Sequence, residues 1–385
     1  MQKKQNTTDS HSSSTHSFSS FLHRIRKSSK FLLPIAFFGI LSHGCVSGSE
    51  SIHQNFSISS SSEKSEAVKR TNGEEAIKRF YDNFFMVRLD GAQPEKNMDR
   101  TYTDPFLSFM HERREKFKSS DNTTLQGYWY IPVVGDKEEE HPKGVIISAH
   151  GLGGSGAKPA IGAYATFAMD GFLVFAFDTT GTGESEGTGL HGLTQGAKDL
   201  DDAINFVKSK ENLKNVPIHL YGGSMGGFSV LSVLNKHTDD ITSVVSLCPF
   251  DDPVEILTDL AMKTIENEDA KKFSKEEFHD ILLNREIRNA GLTLKNSATR
   301  GIDSAPNTKV MIIHGILDTT VPISLGLDKI ASGVKDPSKL TLLRMEGLDH
   351  ALDDTMPKRA LEFFNSNNEK SIDLSLLLNL SENKF

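Results

Sequence analysis

Two cysteines, Cys45 and Cys248, are all that the 385 residues contain, so no disulfide framework can hold this chain together and a hydrophobic core must do so. Positive charge is also short. Lys and Arg number 43 against 51 Asp and Glu, and the resulting net charge of -8 excludes the concentrated basic surface that nucleic acid requires. Metal-ligand patterns are missing: His111-Glu-Arg-Arg-Glu115 begins like a zinc helix but ends in glutamate where the second histidine is needed. No internal repeat is evident. A hydrophobic fraction of 37% can fill the core of one large domain or two ordinary ones.

The first 30 residues carry Lys3, Lys4, Arg24, Arg26, Lys27 and Lys30 against the single acid Asp9, and Phe31 to Leu41 is an apolar run of 11 residues. That length suits the core of an export signal and is too short to span a bilayer. Ser42-His43-Gly44-Cys45 then resembles a bacterial lipoprotein cleavage site, with serine rather than an aliphatic residue three positions before the cysteine. The pattern predicts an exported protein of the bacterial cell envelope, anchored to a membrane through a lipid on Cys45; the alternative is a plain cleaved signal. Residues 46 to 72 are rich in Ser, Glu and Lys and read as a flexible tether.

From Gly73 the pattern changes. Ala76, Ile77, Phe80, Tyr81, Phe84 and Phe85 fall at helical spacing and predict a packing helix, at the head of a helical extension over 73–124. Beyond Leu125 short apolar runs alternate with helical segments: 145–149, 172–177, 218–221, 244–247, 310–313 and 340–343. This alternation predicts an α/β fold with a mostly parallel central sheet flanked by helices. The core is expected over 125–250 and 309–366, with 367–385 as a tail. Between its two parts, residues 251–308 hold helix-like segments, Pro253 to Glu266 and Ser274 to Arg288, where a lid or a merely decorative excursion is expected.

The chemistry begins at His150-Gly-Leu-Gly-Gly-Ser-Gly-Ala157. Gly151, Gly153 and Gly156 fit the dinucleotide pattern G-x-G-x-x-G, with Asp178 at the end of the next apolar run as a ribose-binding acid. Pro159 delays the following helix, however, so its N-terminus would miss a pyrophosphate held by Gly151 and Gly153. The competing reading makes the stretch an oxyanion turn. Tyr221-Gly222-Gly223-Ser224-Met225-Gly226-Gly227 stands between a short strand and a helix, the setting of a nucleophile elbow. There Ser224 sits on a strained turn, Gly222 and Gly226 let strand and helix approach, and the Met225 N–H faces a reacting carbonyl. A serine needs a base and the base an orienting carboxylate. Asp318 follows the 310–313 strand by a short loop, and His350 follows the 340–343 strand likewise. Both fall on the carboxyl side of adjacent strands, where ligands bind in open α/β sheets. Asp349 and Glu346 are the rival carboxylates.

The ordered set H-G-L-G, D-T-T-G-T-G-E-S-E-G (178–187), G-G-S-M-G-G, H-G-I-L-D-T-T-V-P and G-L-D-H resembles the α/β-hydrolases, and within them the monoacylglycerol lipase-like and serine aminopeptidase-like hydrolases, over about residues 123 to 366. The resemblance implies an α/β-hydrolase fold with residues 251–308 as a helical lid. It implies Ser224 as nucleophile, His350 as base, Asp318 as its orienter, and the N–H groups of Leu152 and Met225 as oxyanion donors, with Gly151, Gly153, Gly222 and Gly226 as turn residues. Gly223 stands where many relatives have histidine. The expected activity is hydrolysis of a small-molecule carboxylic ester without cofactor or metal. Peptide, amide or thioester cleavage is the alternative chemistry; a catalytically silent exported binding protein and an NAD(P)-dependent oxidoreductase are the alternative classes.

Overall fold

The computed structural model describes residues 61–88, 110–134, 137–156, 160–293 and 295–368. The export signal, Cys45 and the tail beyond Asn368 lie outside the described residues. The chain forms two compact units, Met1–Thr71 and Asn72–Phe385. Of the first, only the leading turns of a helix, α1 (Ser61–Phe85), are described.

Within the second unit, β1 (Met110–Lys118), β2 (Thr124–Val134), β3 (Lys137–Glu138), β4 (Gly144–Ala149), β5 (Phe172–Phe177), β6 (Ile218–Gly223), β7 (Ser243–Leu247), β8 (Lys309–Gly315) and β9 (Leu340–Met345) form a nine-stranded sheet. The spatial order is β1-β2-β5-β4-β6-β7-β8-β9, with β3 paired to β2. From β5 to β9 every pairing is parallel, while β1 and β2 run antiparallel. Every residue of β4 and β5 is buried, as continuous apolar runs covered on both faces must be. Their side chains alternate between two cores. Val145 and Ile147 pack with Leu200 and Ile204 of α3 (Thr194–Lys208), whereas Ile146 packs with Phe167 of α2 (Ile161–Met169) and Phe364 of α9 (Met356–Asn368).

The chain leaves β4 to one side for β5 and returns to its other side for β6. Connections therefore diverge at the carboxyl ends of β4 and β6, which opens a crevice there. The pairing Ala149 with Gly222 carries the two motif-bearing loops side by side into that crevice.

Two expectations are corrected. The tether was expected to reach residue 72, but α1 begins at Ser61; Glu63, Lys64, Glu66, Ala67, Lys69 and Arg70 are good helix formers, and a polar segment can extend a helix that is anchored further on. The extension over 73–124 is not wholly helical either, because it contains β1. That strand has the sequence MHERREKFK and buries little besides Met110 and Phe117. Charged side chains on an edge strand discourage pairing with other chains, and they also erase the apolar pattern by which a strand is recognised.

The 251–308 interval holds α5 (Pro253–Thr264), α6 (Lys275–Ala290) and α7 (Ala298–Ser304), and α8 (Leu327–Gly333) follows β8. Asp252 caps α5 through the Val254 and Glu255 N–H groups, and α6 starts with a Ser274/Glu277 capping box and stops at left-handed Gly291. No helix among the described residues is long and apolar enough to cross a membrane.

Candidate active site

Ser224 joins β6 to α4 (Met225–Ser232) with φ 57 and ψ -120, a backbone conformation that L-residues rarely adopt. The surroundings enforce it. The Ser224 N–H donates to Leu247 O at 2.8 Å and its carbonyl accepts from the Phe228 N–H at 2.9 Å. A Cβ on Gly222 would lie 2.4 Å from Gly226 O, and one on Gly226 would lie 2.0 Å from Ala149 O. Only glycine permits helix, turn and neighbouring strand to pack this closely. Gly223 has room to spare, since its nearest neighbour would be Leu247 Cβ at 3.8 Å.

The structure brings Asp318 and His350 together. Oδ2 of Asp318 accepts from His350 Nδ1 at 2.7 Å, and Oδ1 accepts from the N–H groups of Thr320 (2.9 Å) and Val321 (2.8 Å). The Asp318 side chain is wholly buried while that of His350 is 20% exposed. Burial alone would raise the Asp318 carboxyl, but hydrogen bonds from His314 and His350 outweigh it and hold the group well below the usual carboxylate range. An ionised Asp318 fixes the proton of His350 on Nδ1 and makes Nε2 the basic nitrogen. The rivals are excluded: Asp349 and Glu346 are exposed, and Asp349 Oδ1 accepts from the Ala351 N–H at 2.9 Å. Ser224 stands at the carboxyl end of β6, the same sheet end that carries Asp318 after β8 and His350 after β9.

The glycine turn after β4 lies against the serine. A Cβ on Gly151 would sit 3.5 Å from Ser224 Cβ and 3.3 Å from Gly223 O. His150, buried and with its pKa lowered by that burial, donates from Nδ1 to Gly151 O at 2.8 Å and accepts the Thr179 N–H on Nε2 at 3.1 Å. Gly154 N–H also donates to Gly151 O, at 3.0 Å. Because a trans peptide points its C=O and N–H in opposite directions, locking the Gly151 carbonyl inward turns the Leu152 N–H outward. Neither the Leu152 nor the Met225 N–H donates to any acceptor among the described residues. Gly153 has φ 75 and needs to be glycine.

The dinucleotide reading is overturned by geometry. The helix after the turn starts only at Ile161, and Asp178 is wholly buried with its oxygens engaged by Gly156 N–H (2.7 Å), Tyr128 OH (2.8 Å) and Glu184 N–H (2.8 Å). It knits two loops together and presents no carboxylate to a ribose. His111, of the zinc-like pentapeptide, lies on β1 and contacts Glu138 at 3.1 Å. Ligand-type atoms of Cys248, His314 and Asp318 do gather within 4.8 Å of one another. They are committed elsewhere, since both Asp318 oxygens accept hydrogen bonds and His314 Nε2 donates to Val321 O at 2.9 Å.

The structure adds two residues that no motif assigned a role, His150 and His314. Each is the last apolar-strand neighbour before a glycine, in His150-Gly151 and His314-Gly315, and each binds a backbone carbonyl that shapes the loop after its strand. The repeated His-Gly at two strand ends is the signal that could have found them.

The chain has the α/β-hydrolase fold. Residues 140–289 match the family model described as serine aminopeptidase, S33. The uncharacterized protein YfhR of Escherichia coli K12 is 26% identical over 234 residues, which cover 59% of this chain and 70% of the relative. Among solved structures, the Pyrococcus furiosus esterase Pf2001 superposes with a TM-score of 0.54 at 19% identity, covering 74% of this chain and all of that one. Est1E from Butyrivibrio proteoclasticus, solved with ferulic acid bound, superposes with a TM-score of 0.51 at 18% identity over 66% of this chain and 98% of that one. At these identities the two structures establish the fold alone.

Proposed function

We propose that the protein is a serine hydrolase that cleaves small-molecule carboxylic esters through an acyl-enzyme on Ser224. The observation that carries this reading is the Asp318–His350 hydrogen bond at the sheet end where Ser224 occupies a strained elbow. His350 Nε2 takes the Ser224 proton as Oγ attacks the carbonyl carbon, and Asp318 stabilises the imidazolium. The negative oxygen of the tetrahedral intermediate accepts from the Leu152 and Met225 N–H groups. Collapse expels the alcohol, protonated by His350, and water activated by the same histidine releases the acid. The helices of 251–308 form the lid over this site.

An ester is favoured because a protein of the same fold, Pf2001, is an esterase by name. The match of residues 140–289 to a serine aminopeptidase family supports peptide cleavage as a second reading. Parallel assays with p-nitrophenyl acyl esters and aminoacyl p-nitroanilides decide between them: esters turning over at least tenfold faster supports the first, and the reverse order the second. We extend the proposal to location, a lipid on Cys45 tethering the enzyme in the cell envelope, which rests on the basic, apolar and cysteine-containing leader. Mass spectrometry of the membrane-extracted protein tests it by finding an acylated or an unmodified Cys45.

A further inference from the structure

His314 lies inside the fold with its side chain 0% exposed, on the last turn-ward residue pair of β8, and the reaction above assigns it nothing. Its Nε2 lies 2.9 Å from Val321 O and 3.3 Å from Asp318 Oδ2. Both neighbours are acceptors, so Nε2 carries the proton, donating it to Val321 O with Asp318 Oδ2 beside it. Nδ1 is buried without a hydrogen-bond partner. Space is made for the ring by Gly326, where a Cβ would lie 2.4 Å from His314 Cε1 and 3.0 Å from Nδ1. The Val321 peptide is thus gripped twice, its carbonyl by His314 and its N–H by Asp318 Oδ1 at 2.8 Å. Facing the Asp318 carboxylate are His314 from β8, His350 from the loop after β9, and the buried Cys248 thiol from the end of β7.

We propose that His314 is a positioning residue for the catalytic pair: its Nε2–H holds the Asp318 carboxylate and the Val321 peptide in place and withdraws electron density from Oδ2, which tunes the basicity of His350. This deepens the reading of Ser224, Asp318 and His350 as a triad and rests on it. His314 touches neither substrate nor reacting atoms, and acts only through Asp318. Removing its N–H makes Oδ2 the stronger partner for an imidazolium, so the pKa of His350 rises, while a less firmly oriented Asp318 lowers turnover.

The test is an NMR titration of the His350 imidazole in the full chain, alongside ester hydrolysis, for the wild type, His314→Leu and His314→Gln. Gln offers an amide N–H near the position of Nε2 and Leu offers none. The expected result is a His350 pKa raised by about half a unit or more in His314→Leu, with kcat/KM reduced about tenfold or more, the fold-change a hydrogen bond to a charged group is worth. In His314→Gln both values return toward the wild type. An unchanged His350 pKa in folded His314→Leu, or an equal loss in His314→Gln, overturns the proposal. The titration needs no turnover, so its failure is distinct from that of the triad reading, which is tested separately by Ser224-dependent labelling.

Discussion

Gly226 and Ala149 approach so closely that a methyl group on the glycine would sit 2.0 Å from the alanine carbonyl oxygen. That contact joins the helix after Ser224 to the strand that leads into the glycine turn at Gly151, so one position sets the geometry of both. Gly226→Ala is expected to destabilise the protein by roughly 1–3 kcal/mol through overpacking and to remove ester hydrolysis. Gly223→Ala, where the nearest contact is 3.8 Å, is expected to change stability by less than about 0.5 kcal/mol. Thermal unfolding of the two variants checks the contrast.

The hydrogen bond from His350 to Asp318 predicts a specific failure in Asp318→Asn. An asparagine amide can present its NH2 to the ring, which favours the wrong histidine tautomer while leaving the fold intact. We expect kcat to fall by about four orders of magnitude with an unfolding temperature close to that of the wild type. Steady-state hydrolysis of p-nitrophenyl acetate and calorimetry on the same sample test this.

Asp199 is wholly buried and has no cationic partner among its hydrogen bonds, which come from Thr180 N–H, Thr180 OH and the Gln195 amide. Burial outweighs these donors and pushes its pKa up to about 7. The folded state therefore keeps a proton that the unfolded chain loses near pH 4. The stability this group contributes is fully present below that pH and is lost as pH rises through about 7, with a slope of at most about 1.4 kcal/mol per unit. Asp199→Asn removes the slope. Urea unfolding at pH 5 and pH 8 should show the wild type losing more stability than the variant over that interval.

Tyr81 Oη, on α1, lies 2.7 Å from both His191 O and Glu286 Oε2. The phenol donates to both acceptors, and burial pushes the Glu286 carboxyl upward against the hydrogen bonds from Thr194 and Tyr81. Glu286 Oε1 accepts from the Thr194 N–H at 2.6 Å, and the arrangement ties α1 and α6 to the start of α3. Glu286→Gln keeps one acceptor oxygen but puts an NH2 where the second oxygen accepts, and should cost less than the loss of the phenol. Tyr81→Phe strands buried polar groups and should cost about 1–3 kcal/mol. Denaturant unfolding of both variants checks that order.

The six apolar runs all became strands; those of β4 to β8 are largely buried, as parallel strands covered on both faces require, whereas β9 is an edge strand with half-buried and exposed residues. The loops that carry Ser224, Asp318 and His350 were legible for a related reason, since each of these residues follows such a run closely. The edge strand β1 was hidden by its solvent-facing charges. His150 and His314 were hidden because their partners are backbone carbonyls, Gly151 O and Val321 O, which carry no mark in the sequence. Asp178 misled for the opposite reason. Its position after β5 fits a ribose acid, and only the structure shows its oxygens used by Gly156, Tyr128 and Glu184.

The central claim is that Ser224 is an activated nucleophile, and the most direct measurement is intact-mass and peptide mapping after exposure of the folded protein to a fluorophosphonate. The account predicts a single phosphonyl adduct on Ser224 in the wild type, none in Ser224→Ala, and strongly slowed labelling in His350→Ala. Folded wild-type protein that acquires no adduct at Ser224, or Ser224→Ala protein labelled as fast as the wild type, would contradict it.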